Sequence, residues 1–330
     1  MQIKNSFPVW RYYVIDLLFV AIFCTSFYFL YYKLPRDLVS ENIVIINPEE
    51  QSENSESVDS DCNTDGDSDL TDWQIKFKDK FSDKIISTKN TYKSPNISIR
   101  LSKQTKGSGK SLITYYLGDI YISKIECFAT GLARDKYGVG YSENLLDMDK
   151  RLNARIAING DYYGIGNRGV CIRNGVAYRT KADTADICVL YYDGTMKTYT
   201  AGKFDFEEAV DNGAYQAWNF GPALLDKNGK NIDEFPSSRV TPKNPRTAIG
   251  YFEPGHYCFV LVDGRSPGYS TGMTMPELSS LMRELGCNAA YNLDGGQSST
   301  LTFNDRVINQ PYNGGRPCSD CIIIKEADGD

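Results

Sequence analysis

Short apolar runs separated by turn residues dominate the chain after residue 111 and predict a largely β domain. They include LITYYLG, DIYISKIECFA, ARIAING, TAIGYF, CFVLVDG and STLTF. Two turn pairs, Asp193-Gly194 and Asn304-Asp305, each lie between two such runs and predict β-hairpins. Helical periodicity is clearest over residues 143–153 and 275–285. We therefore expect an α+β (mixed α/β) fold with a mixed sheet and a few helices.

The best-defined unit of this domain is a β-α-β crossover over residues 258–294. Its helix, predicted over 275–285, begins with a capping box formed by Thr274 and Glu277. Gly286 follows the last apolar position and is typical of a helix C-terminus. Because the capping box explains Glu277, this residue is not a candidate for the functional site.

Two acidic residues follow the strands on either side of this helix. The strands, 258–263 and 289–294, are expected to form a parallel pair within the mixed sheet. Both finish in Asp-Gly, at Asp263 and Asp294. Because ligands gather beyond the carboxyl ends of such strands, these two carboxylates are expected side by side above one edge of the sheet.

An apolar segment near the N-terminus, residues 12–32, contains Asp16 as its sole charged residue. At about 1.5 Å per residue, a helix of this length crosses a hydrocarbon core about 30 Å thick. Aromatic residues at both ends are typical of membrane interfaces. We expect residues 1–39 to form a cytoplasmic stub and an uncleaved single-pass membrane anchor, with a buried core helix as the alternative.

The formal charge of −6 is unevenly distributed along the chain. Residues 48–72 hold ten acidic residues and no basic ones, whereas residues 73–330 carry a net charge of +3. The polar composition of residues 40–72 predicts a disordered acidic linker. Residues 73–111 are interpreted as a lead-in with one strand at 97–101, and residues 112–330 as the main folded domain. The overall acidity therefore does not argue against an anionic ligand for that domain.

Part of the acidic linker resembles the first half of a calcium-binding loop. Its oxygen-bearing positions are Asp61, Asn63, Asp65, Asp67 and Asp72. The last position is Asp rather than Glu, and no helix-forming sequence precedes the loop, so an acidic spacer is favoured over a weak calcium site. The sequence requires no cofactor, leaves calcium as the candidate metal, and predicts no nucleic-acid partner.

Histidine and cysteine content exclude several classes of site. His256 is the sole histidine, which excludes His-rich zinc sites. The Gly-x-Ser-x-Gly pattern at 268–272 has no histidine after it, which argues against a serine hydrolase. Among nine cysteines, Cys318 and Cys321 adjoin a strand pattern. They are interpreted as buried strand cysteines or a local disulfide rather than a redox centre.

Five motifs occur in order along the chain: NGDYY at 159–163, NPRTAIG at 244–250, VDGR at 262–265, TMPE at 274–277 and NLDGGQSST at 292–300. Together they resemble the phosphodiester glycosidase family over residues 112–325, which implies that residues 112–330 form a catalytic domain. This resemblance implies an extracytoplasmic hydrolase of sugar-1-phosphodiesters, of the GlcNAc-1-phosphodiester type, acting on exopolysaccharide or cell-surface glycopolymers. Membrane-anchored bacterial members are common in the family, which favours a cytoplasmic N-terminus here.

The chemistry of such a substrate assigns roles to four charged residues. The leaving phosphate is already acidic, so the site needs cations that hold it and a carboxylate that activates water or attacks C1. Arg246 and Arg265 suit the cationic role because guanidinium binds phosphate bidentately. Asp294 and Asp263 are the predicted catalytic carboxylates.

The remaining substrate-binding candidates lie in the same motifs. Main-chain N–H groups of the double glycine are expected to form an anion-binding nest, with two serine hydroxyls as added donors. An asparagine that ends a strand is expected to orient sugar hydroxyls. These candidates are Gly295, Gly296, Ser298, Ser299, Asn159, Asp161 and Thr247.

Two positions depart from the usual family pattern. Gln297 stands where a third glycine is common, and Asp161 makes the first motif more polar. The substitution by Gln297 favours an alternative function, a non-catalytic, membrane-anchored glycan-binding module.

Overall fold

A computed structural model of the protein describes residues 9–30, 34–49, 70–235 and 242–327. Helices near both predicted helical segments are present, and the α+β fold class is confirmed, with several sheets and few helices. The helices are α1 (Trp10–Tyr28), α2 (Asp72–Lys76), α3 (Leu145–Arg151), α4 (Phe206–Asp211) and α5 (Met275–Glu284).

Most strands are short, and the two longest pair with each other. The strands are β1 (Arg36–Asp37), β2 (Ile43–Val44), β3 (Ile86–Ser87), β4 (Thr91–Lys93), β5 (Ile97–Lys106), β6 (Ile113–Ile122), β7 (Phe128–Leu132), β8 (Gly138–Val139), β9 (Ile156–Asn159), β10 (Cys171–Arg173), β11 (Val176–Arg179), β12 (Ile187–Tyr191), β13 (Met196–Tyr199), β14 (Ala214–Asn219), β15 (Arg246–Glu253), β16 (His256–Val262), β17 (Ala289–Asn292), β18 (Leu301–Phe303), β19 (Arg306–Val307) and β20 (Asp320–Ile324).

These strands form three main sheets and one small ribbon. The orders are β17-β15-β16-β6-β5-β4-β3, β13-β12-β14-β10-β11-β2 and β19-β18-β9-β20-β7, with β1 paired to β8. Both predicted hairpins are present as β12–β13 and β18–β19. Asn304 and Asp305 have φ values of 48° and 60°, which suits a tight two-residue turn.

The crossover β16–α5–β17 differs from its prediction in one respect. Strand β15 lies between β16 and β17 and pairs antiparallel with both. The two flanking strands therefore run in the same direction without hydrogen bonding to each other, which corrects the expected parallel pair. Ladders among the described strands are antiparallel throughout. The insertion has a consequence for the site, because β15 begins with Arg246 opposite Val262, the last residue before Asp263.

The largest hydrophobic cluster lies where the three main sheets meet. Side chains from each sheet are fully buried there, among them Ile99, Ile120, Phe259, Ile158, Ile322, Leu190 and Trp218. Helix α5 covers the opposite face of the seven-stranded sheet through Leu278, Leu281 and Met282. Its capping box between Thr274 and Glu277 is formed as predicted. Because β16 is covered on both faces, it is apolar along nearly its whole length.

Two predicted domain boundaries are corrected by ordered structure. Within residues 40–49, assigned to the acidic linker, Ile43 and Val44 pair with β11 and Ile45 is 3% exposed. Residues 73–111, expected to contain one strand, instead supply β3, β4 and β5 to the seven-stranded sheet. The sequence pattern did not predict these strands because each is short or has one exposed, polar face.

Helix α1 is apolar and contributes nothing to the core. An 18-residue window of this helix has a mean hydropathy of 1.4, and none of its 19 residues is buried. By length and composition the helix is able to cross a membrane, and a signal sequence near the N-terminus has the same properties. It begins two residues before the predicted span of 12–32.

Helix α3 carries a buried carboxylate, Asp149, against the five-stranded sheet. The residue is fully buried, and within the described parts of the chain neither carboxylate oxygen accepts a hydrogen bond of normal geometry, although the nearby Thr302 hydroxyl favours the charged form. Burial raises the pKa of Asp149 to about 7. Because the folded state then holds a proton that the unfolded chain releases above about pH 4, this residue makes the free energy of unfolding fall as pH rises from about 4 to about 7.

The Asp149→Asn variant should therefore show a weaker pH dependence of stability than the unsubstituted protein. We expect its loss of unfolding free energy between pH 5 and pH 8 to be smaller by about 3 kcal/mol. Urea denaturation at the two pH values measures this difference. Asp147→Asn, an exposed change on the same helix, is the control. If the free energy of unfolding depends on pH equally in all three proteins, the pKa of Asp149 is not raised.

Candidate functional site

The turn that follows β17 presents the carboxylate of Asp294 at the edge of the seven-stranded sheet. Ser298 Oγ donates to Asp294 Oδ2 at 2.5 Å, and the Gly295 N–H donates to Oδ1 at 3.0 Å. The Asp294 side chain keeps 14% of its surface exposed. Among the two predicted catalytic acids, Asp294 is thus the one that a solute can reach.

Arg316 completes this constellation and was not predicted from the sequence. Its Nη2 lies 2.6 Å from Asp294 Oδ2, and its Nε donates to Ser298 Oγ at 2.6 Å. Burial favours the neutral form of Arg316, but the Asp294 carboxylate outweighs this and raises the pKa of Arg316 above its ordinary value. The one sequence signal was the preceding pair Gly314-Gly315, which has positive φ at both positions and turns the chain toward the site.

Aromatic rings support both accessible guanidinium groups. The Arg316 guanidinium lies 4.6 Å from the ring centroid of Tyr162, a residue held at a φ of 67°. Arg265 lies over Tyr312 at 5.1 Å, and its Nε and Nη2 donate to Asn244 Oδ1. These contacts restrict two side chains that otherwise have many rotamers.

Arg265 lies against the same turn as Arg316. A Cβ on Gly296 would lie 3.2 Å from Arg265 Nη2, so glycine lets this guanidinium approach the turn closely. The predicted phosphate ligand Arg265 is exposed. Arg265 and Arg316 therefore both contact the turn that carries Asp294.

Asp263, the second predicted catalytic acid, is enclosed. It is 2% exposed, and its carboxylate accepts hydrogen bonds from Asn309 Nδ2 at 2.8 Å, Tyr269 Oη at 2.8 Å and the Gln310 N–H at 3.0 Å. Burial raises the pKa of the Asp263 carboxyl, while these donors favour its charged form. In this arrangement Asp263 fixes the segment around residues 309–310 rather than facing solvent.

Arg246, predicted to bind phosphate, is also buried. Its Nε donates to the Met273 carbonyl at 2.9 Å, and its Nη2 donates to the Pro242 carbonyl at 2.6 Å. Burial and the neighbouring Arg265 lower the pKa of Arg246 to about 10. The structure thus places Arg246 beneath the site, where it ties the start of β15 to the chain before α5.

A buried hydrogen-bond network supports the turn from below. Asn159 Nδ2 donates to the Asp294 carbonyl at 2.7 Å, and Asn159 Oδ1 accepts from Thr247 Oγ1 at 2.8 Å. Thr247 Oγ1 also lies 3.3 Å from Ser299 Oγ. All three supporting side chains are at most 1% exposed. The structure therefore brings Asn159, Thr247 and Ser299 together, but as supports for Asp294.

Asp161 belongs to a buried ionic cluster. Its Oδ1 lies 2.7 Å from Arg173 Nη2, which also lies 2.9 Å from Asp320 Oδ2. The main-chain N–H groups of Tyr163 and Asn219 donate to the same Asp161 carboxylate. With 3% exposure and these partners, Asp161 shapes the backbone around Tyr162 rather than presenting its carboxylate to solvent.

The double glycine does not form the predicted anion nest. The Gly295 N–H donates to Asp294 Oδ1, and the Gly296 N–H donates to the Pro245 carbonyl at 3.0 Å. A Cβ on Gly295 would lie 2.9 Å from that same carbonyl oxygen. Close packing of two backbones, rather than an open anion site, is what requires glycine at 295.

Gln297 does not disturb this turn. It lies in the 3-10 segment Gly296–Ser298, and its φ is not positive, so the backbone does not need glycine there. Its Nε2 donates to the Gly315 carbonyl at 3.0 Å. Gln297 thus joins the Asp294 turn to the loop that carries Arg316, and it no longer favours the non-catalytic alternative.

The calcium candidates Asp61, Asn63, Asp65 and Asp67 lie outside the described residues. Asp72 is described and occupies the first turn of α2. In the described ranges, no group of three His, Cys, Asp or Glu side chains is arranged to hold a metal. Cys318 is buried, and burial raises its pKa to about 12, which suits a strand-associated thiol rather than a redox centre.

Comparison with a solved structure supports the fold around this site. The structure is similar to the catalytic domain of zebrafish N-acetylglucosamine-1-phosphodiester alpha-N-acetylglucosaminidase, solved in a form auto-inhibited by its pro-peptide. The TM-score is 0.58 with 18% sequence identity, over 74% of this chain and 87% of the zebrafish chain. At this identity the likeness concerns the fold alone.

Comparison of the sequence with known proteins finds a bacterial relative and a family profile. The chain is 32% identical over 202 residues to the SPbeta prophage-derived uncharacterized protein YomE of Bacillus subtilis (strain 168). The match covers 59% of this chain and 31% of that relative, so the chain spans about a third of its length. The sequence profile of the phosphodiester glycosidase family matches residues 152–325, more than half of the chain and all of the segment from β9 to β20. The protein belongs to the phosphodiester glycosidase family.

Proposed function

We propose that this protein hydrolyses the glycosidic bond of sugar-1-phosphodiesters, of the GlcNAc-1-phosphodiester type. The observation that carries the proposal is the partly exposed turn at Asp294, which combines one accessible carboxylate with two accessible guanidinium groups. Arg316 contacts the carboxylate directly, and Arg265 lies against Gly296 of the same turn.

This arrangement suits a substrate whose leaving group is a phosphate. Such a leaving group departs as a stable anion, so protonation by a second acid adds little. The enclosure of Asp263 is therefore compatible with catalysis. Arg265 and Arg316 would hold the phosphate oxygens as negative charge develops on them, because guanidinium matches phosphate geometry and is fixed here by aromatic stacking.

Asp294 would act on the anomeric carbon, either by activating water or by attacking C1. Its lone pairs are oriented by Ser298 and by the Gly295 N–H, so little reorganisation is needed when the substrate binds. When the phosphate enters, Arg316 is positioned to share its donors between that phosphate and Asp294. A weaker hold on Asp294 would then make the carboxylate more reactive.

We also propose that the domain works outside the cytoplasm, on exopolysaccharide or cell-surface glycopolymers, with α1 as its membrane anchor. The exposed apolar surface of α1 supports anchoring, and the acidic residues 48–72 suit a hydrated spacer between membrane and domain. The N-terminus would then lie in the cytoplasm.

Product identity tests the proposed reaction. The full chain in a neutral detergent, given methyl α-GlcNAc-1-phosphate diester, is expected to release free GlcNAc and methyl phosphate. Proton and phosphorus NMR distinguish these products from GlcNAc-1-phosphate and methanol, which hydrolysis of the P–O bond on the methyl side would give. Hydrolysis in ¹⁸O-labelled water separates the two ways of releasing GlcNAc, because attack on C1 leaves methyl phosphate unlabelled, whereas attack on phosphorus labels it and would reject the glycosidase. Release of the sugar phosphate would reject the glycosidase, and binding without turnover would support a glycan-binding module instead.

A further inference from the structure

A groove of about 830 Å³ lies beside the site, between the tips of two hairpins. The β3–β4 turn forms one wall and the β18–β19 turn forms the other. Asn304 Nδ2 joins them by donating to Ser87 Oγ at 3.0 Å and to the Thr88 carbonyl at 3.1 Å. These hydrogen bonds hold the two walls together, so the groove is part of the folded domain.

The groove combines positive charge with apolar surface. Lys89, Lys103 and Arg306 line it and are exposed, and none forms an ion pair within the described parts of the chain. The described lining contains no carboxylate. Val307, which is 41% exposed, adds accessible apolar surface to a lining that also includes the buried Phe303. Three unpaired cations along an apolar surface suit a ligand in which anionic groups alternate with less polar ones.

One end of the groove reaches the site. Gln310 lines the groove, and its N–H donates to Asp263. Lys103 Nζ lies 5.2 Å from the ring centroid of Tyr269, whose hydroxyl donates to the same Asp263 carboxylate. Asn309, the residue before Gln310, donates to the Ser299 carbonyl at 3.1 Å, so this segment lies against the chain that directly follows the Asp294 turn. A ligand that leaves the Asp294 turn along this segment therefore enters the groove.

We propose that this groove binds the neighbouring units of a linear polymer in which sugars are joined through phosphodiesters. The inference rests on the proposed function and names its substrate class as a polyanionic chain rather than a small diester. The phosphates beyond the scissile one pair with Lys89, Lys103 and Arg306, and the intervening sugars lie on the apolar surface. A neutral glycan would leave all three cations without an anion.

Binding of a non-hydrolysable probe tests the groove without relying on turnover. The probes are a hexamer of hexoses joined through phosphonates, the single-phosphonate hexose and a neutral glucose hexamer. We expect the full chain in neutral detergent to bind the phosphonate hexamer at least tenfold more tightly than either comparison ligand. The variant K89Q/K103Q/R306Q should lose at least tenfold in hexamer affinity. The charge-matched control K150Q/K203Q/K227Q, at exposed lysines elsewhere, should stay within twofold.

Several outcomes would overturn the inference. They are equal hexamer affinity in the groove variant and the unsubstituted protein, equal affinity for the neutral hexamer, or equal affinity for a single-stranded DNA hexamer, which would indicate a general polyanion surface. Thermal denaturation of each variant excludes misfolding as the cause of a loss. If the groove variant loses affinity but the short diester is never cleaved, the groove stands and the proposed reaction fails. If the diester is cleaved but the groove variant binds the hexamer normally, the proposed reaction stands and the inference about the groove fails.

Discussion

The Asp294→Asn variant is expected to lose about a thousandfold in the rate of sugar release. Asparagine has the same shape and keeps an oxygen that accepts from Ser298 or Arg316, so the turn should persist. It removes the charge that would activate water or attack C1. Because Arg316 would then face the substrate phosphate without a competing carboxylate, substrate affinity should be equal to that of the unsubstituted protein or higher.

Two measurements separate these effects. Sugar release from a short diester gives the rate, and calorimetric titration with the phosphonate analogue gives the affinity. Asp211→Asn, an exposed change at the end of α4, is the control and should retain full activity. If the Asp294→Asn variant keeps a tenth of the normal rate, Asp294 does not take part in the chemical step. A loss of affinity equal to the loss of rate would assign it to binding alone.

Local sequence signals predicted the elements around the site correctly. Two of these elements depend only on neighbouring residues, and both are formed. They are the capping box of Thr274 and Glu277 and the turn at Asn304-Asp305. Such signals work because a cap or a two-residue turn is stabilised within a few residues of chain. Local signals also singled out Asp294 as a candidate, since it follows an apolar strand and precedes two glycines, and its catalytic role stays a prediction.

Features that depend on distant parts of the chain were not predictable in the same way. Nothing near β16 or β17 indicates that β15 lies between them, because strand order depends on pairing across the whole domain. Arg246 and Arg265 both looked like phosphate ligands, yet the Met273 carbonyl, 27 residues away in the chain, and the nearby Pro242 carbonyl bind Arg246. Arg316 follows an ordinary turn signal, and its role depends on Asp294, 22 residues earlier. Contacts between residues so far apart in the chain cannot be predicted from the local pattern of a single sequence.

The largest expected effect on stability comes from Arg173, which lies behind the site. It is fully buried and donates to Asp161, Asp320 and two main-chain carbonyls, those of Ile172 and Ala217. Arg173→Met keeps much of the volume but leaves two buried carboxylates without a cation. Removing one partner of a buried ion pair typically costs about 3–5 kcal/mol of unfolding free energy. We expect a loss of that size at pH 8 in urea denaturation.

The dependence of this loss on pH distinguishes charge from packing. Burial raises the pKa of Asp320 above its ordinary value even with Arg173 beside it. Without Arg173 that pKa rises further, so the folded variant binds a proton that the unfolded chain releases above about pH 4. The deficit should therefore shrink as the pH falls from 8 to 5. An equal deficit at both values would indicate lost packing instead, and Arg168→Met, at an exposed arginine, should change stability by less than about 0.5 kcal/mol.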